Sequence, residues 1–155
     1  MFNKILLPID GSDISARAAN SGICFARQNS AEVIAINVTQ PFSTLIGFDG
    51  MAASYAISDG DYEDAARKEA ESYLKPVLDR AQTANVKATS LVISNYSVAD
   101  GIVEAAKENG CDLIYIASHG RSGLSRLLLG SVTTKVLSLA STSVLVYRLK
   151  DQHAT

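Results

Sequence analysis

Five short apolar runs alternate with segments of helical pattern along this chain, and that alternation is the feature that most restricts its fold. The runs cover residues 4–9, 32–39, 86–94, 113–117 and 143–149. Apolar strands of this length, joined by helices, are typical of a parallel sheet covered on both faces. The sequence therefore predicts one three-layer α/β/α domain over residues 1–150, with a five-stranded, mostly parallel Rossmann-like sheet. Residues 151–155 are predicted to form a flexible tail.

Polar capping residues mark the predicted starts of the helices. Ser12 or Asp13 is predicted to cap the first helix, Ser97 the third and Ser131 the last. Gly110 follows the third helix, as glycine commonly does after a helix end. The segment 40–60 before the long second helix has no clear pattern, and connections of this length are often functional.

The long second helix is predicted to start at Asp61, and Pro76 is expected to kink or interrupt it. Its spacing predicts an inner stripe of five residues. The stripe consists of Tyr62, Ala66, Tyr73, Val77 and Ala81.

A glycine-rich turn links the fourth apolar run to the last helix. It reads Ser-His-Gly-Arg-Ser-Gly over residues 118–123, and Gly130-Ser131 then leads into the helix. Such a turn directs unpaired N–H groups and the positive end of a helix dipole at one small volume, which suits a phosphate. Ligands of parallel sheets bind beyond the carboxyl ends of the strands, where the strand order reverses. The chain is therefore predicted to bind a nucleotide there.

Several function classes are disfavoured by what the sequence lacks. It has no G-x-x-x-x-G-K-[ST], no G-x-G-x-x-G after the first run and no G-x-S-x-G, which argues against P-loop NTPases, Rossmann dinucleotide enzymes and α/β-hydrolases. A net charge of −2 argues against a nucleic-acid partner, and no apolar run has the length of a membrane span. Cys24 and Cys111 stand far apart, which favours reduced structural thiols and a cytoplasmic location.

The chain resembles the universal stress protein family over essentially its whole length. Residues 5–12 resemble the family's opening strand and turn, and residues 143–147 resemble its last strand. Residues 118–123 together with 128–132 resemble its signature. Each piece alone is weakly specific, but three pieces in the family's order and spacing are strongly specific.

The nucleotide-binding branch of that family carries G-x2-G-x9-G-[S/T]. Gly120 and Gly130 match its second and third glycines, and Ser131 matches its hydroxyl. Ala117 stands at the first glycine position, which is a departure from the pattern. The added methyl group could weaken binding where a ribose packs against that backbone.

The resemblance implies that the ligand is an adenine nucleotide, ATP with Mg²⁺. It implies that Asp10 accepts hydrogen bonds from the ribose or the base, that Val38 contacts the adenine through its backbone, and that residues of the glycine turn bind the phosphates. The implied binding residues are Pro8, Ile9, Asp10, Val38, Ile116, Ala117, His119, Gly120, Arg121, Gly130, Ser131, Val132 and Thr133. Ser131, Val132 and Thr133 would offer N–H and hydroxyl donors at the helix start.

Several of these residues also have an ordinary structural interpretation. Asp10 would serve equally as a turn or capping residue, and Pro8, Ile9 and Val38 as plain core. His119 is better explained by a hydrogen bond within the turn than by catalysis.

The resemblance implies a cytoplasmic regulator or sensor with little or no turnover of ATP, with slow hydrolysis left open. One alternative is an adenylating or ATP-hydrolysing enzyme of the related adenine-nucleotide α-hydrolase-like fold, and another is a nucleotide-free interaction module. The resemblance also implies a homodimer through the strand Val144–Tyr147, because an apolar sheet edge is a liability unless it is paired. A further protein partner is expected, of unknown identity.

Overall fold

Strands and helices alternate along the chain in the computed structural model, which describes residues 1–43, 58–120 and 129–149. In chain order the elements are β1 (Lys4–Pro8), α1 (Asp13–Asn29), β2 (Glu32–Thr39), α2 (Asp59–Thr83), β3 (Ala88–Ser94), α3 (Val98–Glu108), β4 (Leu113–Ala117), α4 (Ser131–Leu139) and β5 (Ser143–Tyr147).

The five strands of the described ranges form one parallel sheet in the order β3-β2-β1-β4-β5. The first strand lies at the centre, where Ile5 is opposite both Val33 of β2 and Leu113 of β4. From β1 the chain adds β2 and then β3 on one side of the sheet. It then returns to the centre and adds β4 and β5 on the other side of β1. The strand order therefore reverses between β1 and β4, as expected for a doubly wound α/β domain.

Side chains of the sheet alternate between two separate apolar layers. Ile5 and Leu7 of β1 pack into one layer with α1 and α2, whereas Leu6 packs into the other layer with α3 and α4. These three side chains are at most 1% exposed, because helices cover the central strand on both faces. The three-layer α/β/α prediction is confirmed.

Helix α1 lies unusually close to the central strand at Gly22. A Cβ atom on Gly22 would lie 2.6 Å from Cδ2 of Leu7 and 3.3 Å from the ring of Tyr115. The absence of a side chain at Gly22 thus permits close packing of α1 against the sheet.

Two of the predicted capping residues are confirmed and one is wrong. The hydroxyls of Ser12 and Ser97 accept hydrogen bonds from the amides of Ser15 and Asp100 at 3.2 and 3.3 Å. Ser131 is the first residue of α4, and Gly130 occupies the N-cap position without a side-chain hydrogen bond. Glycine and serine both suit an N-cap, so local preference does not choose between them.

Four element boundaries also differ from the prediction. Strand β1 ends at Pro8 rather than at residue 9, and β5 ends at Tyr147 rather than at residue 149. Helix α2 begins at Asp59 rather than Asp61, because the Ser58 hydroxyl caps it by accepting from the Asp61 amide at 3.2 Å. Strand β3 begins at Ala88 rather than at Val86, whose amide donates to the carbonyl of Ala81 at the end of α2.

Pro76 does not interrupt α2, which runs from Asp59 to Thr83. Leu74 and Val77 on either side of the proline are buried against the sheet, and this packing holds the helix together although one backbone hydrogen bond is missing. Within the described residues, every helix is too short or too polar to cross a membrane.

Candidate nucleotide-binding site

A cavity of about 400 Å³ opens beyond the carboxyl ends of β1, β2 and β4, beside the point where the strand order reverses. Its volume lies in the range of ordinary small-molecule sites. The candidate binding residues within the described ranges all line it. They are Pro8, Ile9, Asp10, Val38, Ile116, Ala117, His119, Gly120, Gly130, Ser131, Val132 and Thr133. Arg121 lies outside the described residues, as do residues 44–57 of the segment after β2.

The turn after β1 holds Asp10 in a defined orientation. Its Oδ1 accepts hydrogen bonds from the amide and the hydroxyl of Ser12 at 3.0 and 2.6 Å. Gly11 between them has φ +82°, a conformation that glycine adopts without strain. The other oxygen, Oδ2, points towards the turn after β4, since a Cβ atom on Gly120 would lie 2.6 Å from it. Asp10 is thus both a turn residue and a wall of the cavity.

The start of α4 is drawn tightly against the end of β4. The Gly130 amide donates to the Ser118 carbonyl at 2.8 Å, and a Cβ atom on Gly130 would lie 3.3 Å from Cα of His119. Gly130 has φ −62°, which any residue can adopt. The need for glycine at this position is therefore explained by the close approach of the His119 backbone. The first-turn amides of a helix lack partners within the helix, so those of α4 lie beside the cavity as ready anion donors.

The Thr133 hydroxyl is already engaged within the protein. Its Oγ1 donates to the carbonyl of Ala117 at 2.8 Å, and the residue is 3% exposed. With its hydrogen directed to Ala117, the hydroxyl is not placed as a ligand donor in this structure, and the binding role of Thr133 stays a prediction. The hydroxyl joins the first turn of α4 to the last residue of β4.

His119 makes a hydrogen bond within the turn, as its structural interpretation requires. Its Nδ1 lies 2.9 Å from the Ser118 hydroxyl, and Ser118 is 1% exposed. Its Nε2 is buried and has no partner among the described residues. An unpaired buried nitrogen is costly, so a ligand or solvent atom next to it would be favourable.

A basic side chain near the site is held by the neighbouring helix. Lys135 Nζ donates to the Ser97 hydroxyl at 2.8 Å and to the Asp100 carboxylate at 3.0 Å, which joins α4 to α3. Hydrogen bonds from Ser97 and then Lys135 hold the pKa of Asp100 below its usual value. Lys135 is thus a structural contact between the two helices.

Helix α2 contributes a wall of the cavity that the sequence only partly predicted. We call the residues of this helix that line the cavity the α2 wall: Tyr62, Ala66, Glu69, Ala70 and Tyr73. The Tyr62 hydroxyl donates to the Gln40 carbonyl at 3.4 Å, and the Tyr73 hydroxyl donates to a carboxylate oxygen of Glu69. The inner stripe predicted Tyr62, Ala66 and Tyr73 but missed Glu69, although its spacing places it on the same face.

A buried amide on β2 is a second feature that sequence reasoning missed. Asn37 is 8% exposed, lines the cavity, and donates from Nδ2 to the Ile9 carbonyl at 2.7 Å. It fixes the backbone immediately before Asp10. The sequence did contain a signal for it, because Asn37 is a polar residue inside an otherwise apolar strand. A buried amide must find a hydrogen-bond partner, so such a residue indicates a specific contact.

No group of three acidic, histidine or cysteine side chains in the described part of the chain could hold a metal ion by itself. A divalent cation here would depend on oxygens supplied by a ligand. Mg²⁺ commonly binds nucleotide phosphates in this way, with few protein contacts and several waters.

Comparison with known proteins agrees with this architecture. The profile of the Universal stress protein family matches residues 1–148. Universal stress protein YxiE of Bacillus subtilis (strain 168) is 33% identical over 149 residues, covering 96% of this chain and all of that protein. The solved structure of MJ0577 from Methanocaldococcus jannaschii superimposes with a TM-score of 0.80 at 24% identity, covering 98% of this chain and 99% of that chain.

A second solved structure is that of a universal stress protein in complex with cAMP. It has a TM-score of 0.69 and 26% identity, and the alignment covers 96% of this chain and 99% of that chain. With the family profile matching nearly all of its length, this chain belongs to the universal stress protein family.

Proposed function

We propose that this protein binds an adenine nucleotide, ATP with Mg²⁺, in the cavity beside β1 and β4, and that it acts as a cytoplasmic regulator or sensor. The observation that carries the proposal is the meeting of two distant segments in one cavity. Asp10 from the turn after β1 faces Gly120 from the turn after β4, and the start of α4 closes the same space.

Each part of the nucleotide has a chemically suitable wall in this proposal. The adenine packs among Pro8, Ile9 and Val38, the apolar and backbone surface at the ends of β1 and β2. The ribose hydroxyls donate to Asp10. The phosphates bind the first-turn amides of α4, starting at Ser131, and the backbone around Gly120.

Ala117, the departure from the family pattern, is compatible with this arrangement. It is 4% exposed, and it packs into the apolar layer of α1 and α2 rather than that of α3 and α4. Little of its methyl group is therefore presented to a ribose in the cavity. The relative that was solved in complex with cAMP shows that a protein of similar fold accepts an adenine nucleotide.

Rapid turnover of ATP is not part of the proposal. Efficient phosphoryl transfer needs a metal cradle and a positioned base or cation. Asp10 is oriented by Ser12, and no group of three acidic, histidine or cysteine side chains in the described ranges could hold a metal by itself. We therefore propose binding with little or no turnover.

The test begins with the purified protein. It is denatured, any released nucleotide is identified by chromatography, and ATP, ADP, AMP and cAMP are titrated calorimetrically with Mg²⁺ present. We expect released or tightly titrating adenine nucleotide. An empty protein that gives no heat with millimolar ATP would contradict the proposal and favour a nucleotide-free interaction module.

A pair of matched variants assigns the binding to this cavity. Asp10→Asn removes the proposed ribose acceptor, whereas Asp13→Asn makes the same charge change in the first turn of α1, outside the cavity lining. Hydrogen bonds to charged groups contribute about 1.5–3 kcal/mol, so Asp10→Asn should weaken ATP binding about tenfold or more. Equal effects of the two substitutions would show that only net charge matters.

We also propose that the protein forms a homodimer through β5. This strand is at one edge of the sheet in the described part of the chain, and its Val144 and Val146 are only partly buried. Pairing of two β5 strands across a two-fold axis would cover this edge. Light scattering at micromolar concentration should give a dimer mass, and a monomer mass would refute this part of the proposal.

A further inference from the structure

The hydrogen-bond ladder between β1 and β2 ends one bond early at the cavity. Its last backbone bond runs from the Ile9 amide to the Ile36 carbonyl at 2.8 Å. In a regular parallel ladder, a residue that donates to position 36 accepts from position 38, so the next bond would join the Val38 amide to the Ile9 carbonyl. Within the described part of the chain, which includes both residues, this bond is not formed.

The side chain of Asn37 replaces the missing backbone donor. Its Nδ2 donates to the Ile9 carbonyl at 2.7 Å, and the two residues are 8% and 4% exposed. A buried carbonyl must find a donor, and this hydrogen bond supplies one without using the backbone of β2. The end of β1 is therefore held in place while the Val38 amide is left out of the ladder.

The backbone of Val38 consequently faces the cavity. Successive residues of a strand direct their N–H and C=O groups alternately to the two neighbouring strands. Ile36 bonds to the β1 side, and the Thr39 carbonyl accepts from the Asn95 amide at 3.0 Å, just after β3. Val38 therefore directs its N–H and C=O to the β1 side, beyond the last bond of the ladder, where the residue lines the cavity. Among residues 1–43, 58–120 and 129–149, its amide has no hydrogen-bond partner.

We propose that Asn37 is a positioning residue of the nucleotide site. By donating to the Ile9 carbonyl it keeps the Val38 amide available, and this amide donates to a ring nitrogen of the bound purine. The inference rests on the proposed nucleotide binding. An amide that a ligand covers without giving it an acceptor is costly, so a base with an acceptor nitrogen at this point is favoured.

The first measurement needs no ligand. Amide hydrogen exchange is followed by NMR on the isotope-labelled whole chain, after any bound nucleotide has been removed. In the wild-type protein the Val38 amide should exchange about tenfold or more faster than the Ile36 amide, which lies inside the ladder. A Val38 amide as strongly protected as that of Ile36 would overturn the inference, and this comparison requires no variant to fold.

Asn37→Val removes the side-chain donor and keeps a residue that suits a buried strand. The Ile9 carbonyl then lacks its partner, so the Val38 amide should join the ladder and exchange about tenfold more slowly than in the wild type. The matched control is Thr39→Val, which removes a hydrogen bond of the same strand on its other side, from the Thr39 hydroxyl to the Ile93 carbonyl at 3.2 Å. It should leave the exchange of the Val38 amide unchanged. Equal slowing in both variants would show a general change of β2 and overturn the role of Asn37.

The second measurement adds ATP with Mg²⁺. Binding should slow the exchange of the Val38 amide in the wild-type protein, and Asn37→Val should bind ATP about tenfold more weakly by calorimetry, because its Val38 amide is already engaged. Wild-type affinity in Asn37→Val would overturn this inference and leave the proposed function intact. Absence of ATP binding by the wild-type protein would overturn the proposed function, and with it the ligand role of the Val38 amide.

Discussion

Replacing Thr133 with valine tests how α4 is attached to the sheet. The Thr133 hydroxyl donates to the Ala117 carbonyl at 2.8 Å, across the junction between α4 and β4. Valine has nearly the same shape but no hydroxyl, so the substitution removes this hydrogen bond without creating a cavity. Both residues are at most 4% exposed, so water cannot readily replace the lost donor.

The expected loss of stability in Thr133→Val follows from the burial of the Ala117 carbonyl, which loses its hydrogen-bond donor. Leaving a buried polar group unsatisfied costs about 1–3 kcal/mol, and we expect the free energy of unfolding to fall by that amount. For a domain of this size each kcal/mol corresponds to a decrease in the melting temperature of roughly 2–4 °C.

Urea denaturation followed by circular dichroism measures the change, at equal protein concentration for all variants. Thr134→Val is the matched control, because it makes the same substitution at the adjacent, exposed position of α4. Its effect should stay within about 0.5 kcal/mol. Equal unfolding free energies for the two variants would refute the attachment role of the Thr133 hydroxyl.

Two further substitutions test the packing and the pH dependence. Gly22→Ala should destabilise the fold by about 1–3 kcal/mol in urea denaturation, because its methyl would clash with Leu7. Gly60→Ala, whose Cβ atom would lie 4.0 Å from the Ser58 hydroxyl, should be neutral or stabilising. A neutral Gly22→Ala would contradict the close packing. Burial acts to raise the pKa of Asp112, but hydrogen bonds from Asn3 and the amide that follows it outweigh burial and leave that pKa below its ordinary value. This contribution to stability is present above the unfolded pKa of about 3.9 and is lost as the pH falls through the folded pKa, so the stability difference between wild type and Asp112→Asn should shrink below about pH 4. A difference that stays constant down to pH 2 would rule out this linkage.

The order of elements could be predicted from the sequence because each strand carries its own signal. The runs around Ile5 and Leu113 are apolar on both faces, which only a strand covered on both sides explains. Alternation with helices then restricts the strands to a parallel sheet with right-handed crossovers. The predicted bounds of β2 and β4 are the observed ones, while the strand start predicted at Val86 was wrong because that amide instead closes the end of α2.

Much of the candidate site could also be predicted, because its residues follow strand ends. Asp10, Val38 and Gly120 lie at or just beyond the carboxyl ends of β1, β2 and β4, and those ends meet at one edge of any parallel sheet. The glycine-rich turn also predicted that Gly130 and the start of α4 form part of the site. The binding role of these residues stays a prediction.

The sequence by itself determined which segments are strands and helices, and that the strand ends carrying Asp10 and Gly120 share one edge, because both follow from local periodicity and turn chemistry. Only the tertiary structure decided which side chains meet there: that Glu69 lies in the cavity with Tyr73, that the Thr133 hydroxyl faces Ala117, and that Asn37 holds the end of β1. These contacts join residues far apart in the chain, and their geometry depends on how each helix packs across the sheet. No local pattern encodes that packing.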